Sequence, residues 1–339
     1  MPVLSAQTLR HLLQHHLLRV DTPVDTARQV ADNLVEASLK GHDSHGVTLL
    51  PRYINAIQVG DLNPYAELRL LRDEGPLVSF HGQCGFGQVL GQQAMSVGIR
   101  RARDYGVAII GIHEAHHLGR IGAWAEQAAE ARLVSLHFAN VSAPSAVLPF
   151  GGKQPRLGTN PLCVGIPRAG HNPVILDFAT SAIAGNKARI AWNEGRPLPE
   201  GCAVDHQGNP TTDASSLMQD PRGSLLAFGG HKGAGLSLIC TLLGAALTGG
   251  QTESHRFPPR PGIINNMLSI IFDPLRLGAG EAWQQEMEAQ LAWLRSSSDE
   301  VQIPGEPEAR HYAQRSETGI YVDEVSWQQF LDLDPNQPV

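Results

Sequence analysis

His113-Glu114-Ala115-His116-His117-Leu118-Gly119-Arg120-Ile121-Gly122-Ala123-Trp124 follows directly on the apolar run Val107-Ala108-Ile109-Ile110-Gly111-Ile112 and opens into an alanine-rich helical pattern from Trp124 to Arg132. An apolar, branched run, a glycine-punctuated turn and a helical period read as strand, turn and helix. The turn gathers three imidazoles and a guanidinium. It sets groups that titrate near neutral pH beside backbone N–H groups able to face an anion. The passage therefore predicts an α/β core with a functional site at the strand end.

The same letters match H-E-x-x-H at His113, Glu114 and His117, the pattern of zinc hydrolases. That pattern needs a helix, where residues four apart share one face and reach one metal. Here His113 closes a strand and Gly119 and Gly122 follow at once. No metal is expected, and a zinc hydrolase built on His113 and His117 is the remote alternative.

Upstream, Ser5 caps a first helix with Leu9, Leu12, Leu13 and Leu17 on one face. A second helix takes Thr22 as cap and Pro23 as its first position, and stops at Gly41. The polar loop Gly41-His42-Asp43-Ser44-His45-Gly46 separates it from a third helical stretch through Tyr53 and Ile57 to Gly60. Strands are expected at Leu68 to Leu71 and Leu77 to Phe80, around the turn Asp73-Glu74-Gly75-Pro76. Gly85-x-Gly87-x-x-x-Gly91 has the wrong spacing for a dinucleotide fingerprint and reads as glycines easing a strand-to-helix connection.

Downstream, Leu133 to Asn140 is a strand, and the glycine- and proline-rich loop from Pro149 to Pro161 leads to strands at Leu162 to Ile166 and Val174 to Phe178. Asp177, at a strand end, suits either a ribose hydroxyl or a helix cap. A helix bearing Lys187 and Arg189 stops near Gly195, and Arg196 to Arg222 reads as an extended surface loop. Gly229 to Gly235 opens the most apolar helix but lacks the P-loop spacing. Gln251 to Gly262 is polar and proline-rich, Met267 to Phe272 a strand, and Glu281 to Arg295 a charged helix. The turn Ile303 to Glu308 precedes a last helical stretch and the strand Ile320 to Val322.

Composition narrows the function classes. The 339 residues suffice for a large core and two lobes, and 42% hydrophobic with 17% charged residues is the balance of a globular enzyme. A net charge of -7 argues against nucleic acid or an anionic membrane as partner. Cys84, Cys163, Cys202 and Cys240 form no metal or redox spacing and read as reduced thiols. The first residues lack a secretory pattern, and Leu236 to Leu247 is too short to span a bilayer, so a cytoplasmic protein is expected.

Six stretches in order, Asp43-Ser44-His45-Gly46, His117-x-Gly119-Arg120, Pro149-Phe150-Gly151-Gly152, Gly158-Thr159-Asn160-Pro161, Asp177-Phe178-Ala179-Thr180-Ser181 and His231-Lys232-Gly233, resemble the malate/L-lactate dehydrogenase family over nearly the whole chain. The loops around His45 and His117 look most like its hydroxycarboxylate dehydrogenase branch. The resemblance implies a homodimeric oxidoreductase using NAD, with NADP not excluded, on a small 2-hydroxy or 2-oxo acid. It implies an α/β fold with a non-Rossmann cofactor domain, a central mixed sheet flanked by helices, and a helical lobe made by the N-terminal helices. The corresponding expected units are residues 1–74, 75–303 and a C-terminal segment, 304–339, packing back on the core.

It further implies that His45 and His117 compete for the acid/base role, with Ser44 assisting His45; His117 is the preferred base. Cofactor contacts are expected from Gly119, Arg120 and Ile121, from Ile175, Leu176, Asp177, Phe178 and Ala179, and from His231, Asn265, Gly305, Glu306 and Glu308. Arg52, Thr159 and Lys187 are the substrate candidates. The imino acid reductases of the family carry an arginine where this chain has Leu49, and an acid where it has Lys187. Reduction of a cyclic imino acid is therefore the second reading, and an apolar Leu49 is expected to favour a larger tail such as that of phenylpyruvate.

Overall fold

The computed structural model describes residues 2–255, 262–280 and 282–333. Residues 256–261 of the proline-rich loop, and Glu281 at the expected start of the charged helix, lie outside them. At the centre is a seven-stranded mixed sheet in the spatial order Arg69–Glu74, Leu77–His81, Val107–His116, Ile264–Phe272, Val134–Ser142, Leu162–Ile166, Val174–Phe178. Only Leu77–His81 and Val107–His116 run parallel; every other pairing is antiparallel.

The sequence places Val107 and Val134 in successive strands, yet they do not touch as neighbours. Ile264–Phe272, more than a hundred residues later, inserts between them and is buried at nearly every position. A strand apolar on both faces gains most at the middle of a sheet, where helices cover both sides. Helices Gly87–Tyr105 and Gly122–Glu130 bring Leu90, Ala94, Met95, Trp124 and Ala128 against Phe80, Ile110, Ile112 and Ile271.

A second core lies in the helical lobe. Leu9, Leu13 and Leu17 of Ala6–Arg19 pack on Val30, Leu34 and Val35 of Val24–Leu39 and on Tyr53 and Ile54 of Leu50–Gln58. Each fully buried leucine contributes about 2 kcal/mol of transfer free energy. Ile320, Val322 and Phe330, from near the other end of the chain, complete this core, and Val3–Leu4 pairs with Ile320–Tyr321. The last helix, Glu324–Leu333, was not foreseen in the sequence.

Two local expectations change. Ser5 caps the first helix through the Thr8 N–H at 3.0 Å as expected, but in the second helix Pro23 occupies the cap position in place of Thr22 and no side chain caps the helix. Asp21, at φ +60°, turns the chain there, and the Thr22 N–H is already bonded to the Leu17 carbonyl. Residues 196–222 do not simply drape over the surface. Leu198, Cys202, Ala203 and Ala214 are buried against Ala188 and Ala191 in a small core of their own, and Ala203–Val204 pairs with Ser224–Leu225. Among the described residues no helix is long and apolar enough to cross a membrane.

Candidate active site

The polar loop is a short turn, Asp43–His45, braced from three directions. Gly41, at φ +81°, ends the preceding helix. Arg315 of helix Glu306–Thr318 grips the Asp43 carboxylate with both terminal nitrogens, at 2.6 and 3.0 Å. Glu308 of the same helix meets His42 Nε2 at 3.2 Å, and Asn186 Nδ2 donates to the Ser44 carbonyl at 2.9 Å. Gly46 is required by closeness: a Cβ there would stand 2.0 Å from Ser38 Oγ, which itself accepts the Val47 N–H. Held in this way, His45 keeps Nδ1 2.9 Å from Ser44 Oγ.

The second imidazole comes from the end of the central strand. Glu114 sits at φ +52°, its N–H donates to Asn266 Oδ1 at 2.8 Å, and the pairing register slips between Asn265 and Met267. Such a bulge re-aims the residues beyond it. Asn265 then accepts the Leu118 N–H at 2.8 Å and donates to the carbonyls of Asn140 and Ile264. Its amide is thus occupied in fixing the His117–Gly119 turn. Gly87 lets the following helix start directly beneath this turn, since a Cβ would lie 2.4 Å from the His117 carbonyl oxygen. The glycine pair there serves packing, as the spacing predicts.

His45 and His117, 72 positions apart in the sequence, meet with ring centroids 5.5 Å apart and planes 20° from parallel. Both Nδ1 atoms are engaged, His45 by Ser44 and His117 by Tyr53 Oη at 2.5 Å. Neither Nε2 has a hydrogen-bond partner among the described residues. Burial, with the charges of His42, Lys187 and Arg120, pushes His45 down to about 3. Burial, with His45, His116 and Arg52, holds His117 well below its ordinary value. Both rings are neutral at neutral pH.

The surroundings are cationic. Arg52 and Arg189 are half-buried; burial lowers the pKa of each, and in Arg52 the charge of Arg189 adds to the effect. Arg189 Nη2 reaches Thr48 Oγ1 at 3.4 Å, and the exposed Lys187 lies two residues before it in the same helix. Leu49, by contrast, is buried in the helical core and does not line the crevice, so it provides no apolar wall for a large substrate tail. The expectation of a phenylpyruvate-like preference loses the residue on which it rested.

The zinc reading fails on geometry. Residues 113–116 are strand, His113 packs edge-on against His81 at 4.8 Å, and His117 belongs to Tyr53 and His45. The helix that would bring His113 and His117 to one metal is missing.

The residues expected to hold a cofactor divide between the turn beside His117, the wall of a separate cavity and positions away from both. Gly119 turns at φ +72°, Ile121 is buried, and the Arg120 guanidinium is buried against Glu126, which also takes Lys40 at 2.6 Å. Asp177 resolves toward capping: its Oδ2 accepts the Gly122 N–H at 2.7 Å, across from another strand. Burial raises its pKa against the pull of His42 and Arg120. Gly305, at φ +98°, lies where a Cβ would stand 3.1 Å from the Pro173 carbonyl, and the Ile175 N–H bonds the Pro304 carbonyl. Glu306 bonds the Ile303 N–H at 2.8 Å and pairs with Arg295.

A cavity of about 780 Å³ opens here, lined in part by Lys40, Glu126, Ile175, Gly305 and Glu308. Arg120 Nη1 and Glu308 Oε2 are buried without a hydrogen-bond partner. An unmet carboxylate oxygen in the wall of a large cavity, with the unmet Arg120 Nη1 behind Glu126, fits a polar, extended cofactor. The cavity does not include the imidazole pair; Glu308, bonded to His42, connects the two. Leu176 is exposed, Ala179 half-buried, and Phe178 packs edge-on against Phe228. His231 begins helix His231–Thr241 beside the exposed Phe150, and Thr159 offers its carbonyl to Thr180. Neither makes a hydrogen bond or ring contact with His45 or His117 among the described residues.

Sequence reasoning overlooked Tyr53, Gln88 and Asn186. Tyr53 follows Arg52 directly and Gln88 follows Gly87, but neither belongs to a pattern that announces it.

Set beside known proteins, the chain matches the family model described as malate/L-lactate dehydrogenase over residues 4–331. It is 41% identical to hydroxycarboxylate dehydrogenase B of Escherichia coli O157:H7, covering 97% of this chain and 92% of that protein. It is 40% identical to an L-lactate dehydrogenase of Cupriavidus necator, covering 96% and 95%. The solved structure of a putative malate/lactate dehydrogenase from E. coli superposes with a TM-score of 0.93 at 38% identity, covering 100% of this chain and 96% of that one.

Proposed function

Because the chain belongs to the malate/L-lactate dehydrogenase family, and so to the oxidoreductases, we propose that it interconverts small 2-hydroxy- and 2-oxocarboxylates with NAD as hydride carrier. The observation that carries this reading is the imidazole pair: two neutral rings 5.5 Å apart, each with an open Nε2, under the charges of Arg52, Arg189 and Lys187. The cations would hold the substrate carboxylate, and an imidazole at the C2 oxygen would take or return its proton. A bound nicotinamide supplies or accepts the hydride. The residues suited to hold it are Gly119 to Ile121, Ile175 to Ala179, His231, Asn265 and Gly305 to Glu308, with Asn265 acting through the Leu118–Gly119 turn. An anionic substrate offsets part of the local positive charge and raises the pKa of both imidazoles, so proton transfer becomes easier once it is bound.

The test follows NADH absorbance with a panel of small 2-oxo acids, and repeats it with NADPH and with piperideine-2-carboxylate. We expect oxidation of NADH by one or more 2-oxo acids and none by the imine. Turnover of the imine alone would replace this reading by the reductase one, and no turnover with any acid would overturn it.

The same reading includes a homodimer. Helix His231–Thr241 and its continuation Leu242–Ala246 bury Ser237, Cys240 and Gly244, yet leave Leu238, Ile239, Leu242 and Leu247 exposed, the last at 67%. Such a contiguous apolar stripe on a folded protein is normally covered. Light scattering should give twice the chain mass for the wild type and a monomer for Leu242→Asp; a monomeric wild type removes the proposal.

A further inference from the structure

Gln88 Nε2 donates to Tyr53 Oη at 2.9 Å, and Tyr53 Oη lies 2.5 Å from His117 Nδ1. All three side chains are buried, Tyr53 completely. A phenol oxygen that already accepts from Gln88 has its own proton left to place. Among the described residues its other hydrogen-bond partner is His117 Nδ1. We infer that Gln88 and Tyr53 are positioning residues that fix His117 as its Nε2–H tautomer, a standing hydrogen-bond donor to the substrate oxygen, and so leave proton exchange to His45.

Consider the alternative, in which His117 acts as base. Nε2 would need its lone pair and Nδ1 the proton, so Nδ1–H and the Gln88 N–H would both point at Tyr53 Oη. With the Gln88 amide turned as it stands, its Nε2 toward the phenol, the phenol proton would then have no acceptor, and an unmade buried hydrogen bond costs about 1–3 kcal/mol. Nor can His117 give up its Nε2 proton while drawing one from Tyr53. That transfer would leave a buried phenolate, and burial already pushes the phenol pKa upward.

His45 is placed differently. Its Nδ1 faces the Ser44 hydroxyl, which donates or accepts equally well and has no second partner among the described residues. Either tautomer is satisfied there. In the oxidation direction a bound nicotinamide would take the hydride from C2. The substrate O–H bond would break as its proton forms an N–H bond at His45 Nε2, while His117 Nε2–H stays on the oxygen.

The catalytic consequence rests on the dehydrogenase reading; the tautomer does not. The test therefore reads the ring nitrogens directly, by nitrogen-15 NMR of histidine-labelled protein. Wild-type His117 should show a protonated Nε2 and an unprotonated Nδ1. Gln88→Glu, of equal size, presents an acceptor to Tyr53 and should move the proton to Nδ1. Gln88→Met, which keeps the volume and drops the donor, should give a mixture of tautomers. In both variants kcat for 2-oxo acid reduction should fall about ten- to a hundredfold, with KM changed less than about threefold. An Nδ1–H tautomer in the wild type, or one unmoved by either substitution, overturns the inference. The expected NMR pattern in a protein without turnover would uphold the tautomer assignment and defeat the dehydrogenase reading instead.

Discussion

His45→Asn is expected to keep its fold and lose its chemistry: kcat should drop about 10²- to 10⁴-fold, the range spanned by removing a positioned acid/base. The turn that carries His45 is held by Arg315, Glu308 and Asn186, none of which bonds the imidazole itself, so the substitution leaves the scaffold in place. The same experiment has a pH arm. In the proposed mechanism oxidation of the hydroxy acid needs His45 neutral, and in the free protein burial and nearby cations hold it at about 3. An ordinary histidine titrates at about 6.5 and would lose half its base form by that pH. Here kcat/KM for the hydroxy acid should stay level from about pH 8 to pH 6. Steady-state kinetics with circular dichroism as a fold check decides the matter. Retention of more than a tenth of the activity by His45→Asn would remove this histidine from the mechanism.

Acid should weaken the fold well before its carboxylates titrate. His137 lies in the middle of the sheet with Nδ1 2.8 Å from Ser269 Oγ and Nε2 2.9 Å from Ser135 Oγ, and burial pushes it down to about 3. His16, under Phe330 in the helical lobe, is pushed down to about 4 by burial and by the charges of His15 and Arg19. Both folded-state values lie below that of the unfolded chain. Their contribution is therefore complete above about pH 6.5 and is lost as pH falls toward the folded-state values. At pH 5 each unfolded imidazole has taken up its proton and neither folded one has, a difference of about 2 kcal/mol per histidine. These two rings alone remove about 4 kcal/mol, a large part of a typical 5–15 kcal/mol stability, and the buried His45 and His117 act in the same direction. Urea unfolding at pH 7 and pH 5 measures the loss directly, and His137→Gln should lose about 2 kcal/mol less between the two pH values than the wild type does. Equal stability at the two pH values would show that neither ring is held neutral.

Much of the architecture was readable because it depends on local chemistry. The strands Leu162–Ile166 and Val174–Phe178 stand where their apolar runs put them, Gly41 stops its helix, and Ser5 caps the first one. Pairing was not readable. Nothing near Val107 says that its neighbour is Ile264–Phe272, because strand order is chosen by which runs can be buried on both faces, a property of the whole sheet. The site divides similarly. The loop holding His45 and the turn holding His117 stood out from their residues alone, whereas the roles of both and of Ser44 rested on the family resemblance. Tyr53 and Gln88 could not be named, because their meaning comes from contacts 64 and 35 positions away in sequence. Leu49 was misjudged for the opposite reason: it neighbours site residues along the chain but points into the lobe's core.

The helix Glu306–Thr318 has a consequence for how the protein is made. Ribosomal synthesis runs from one end, so Asp43 emerges long before Arg315, the residue that clamps it. Until then the first helices also lack Ile320, Val322 and Phe330 as a lid. A partly synthesised polypeptide thus carries its reactive loop unfastened, and the centre is assembled only when the tail of the chain swings back to lock it.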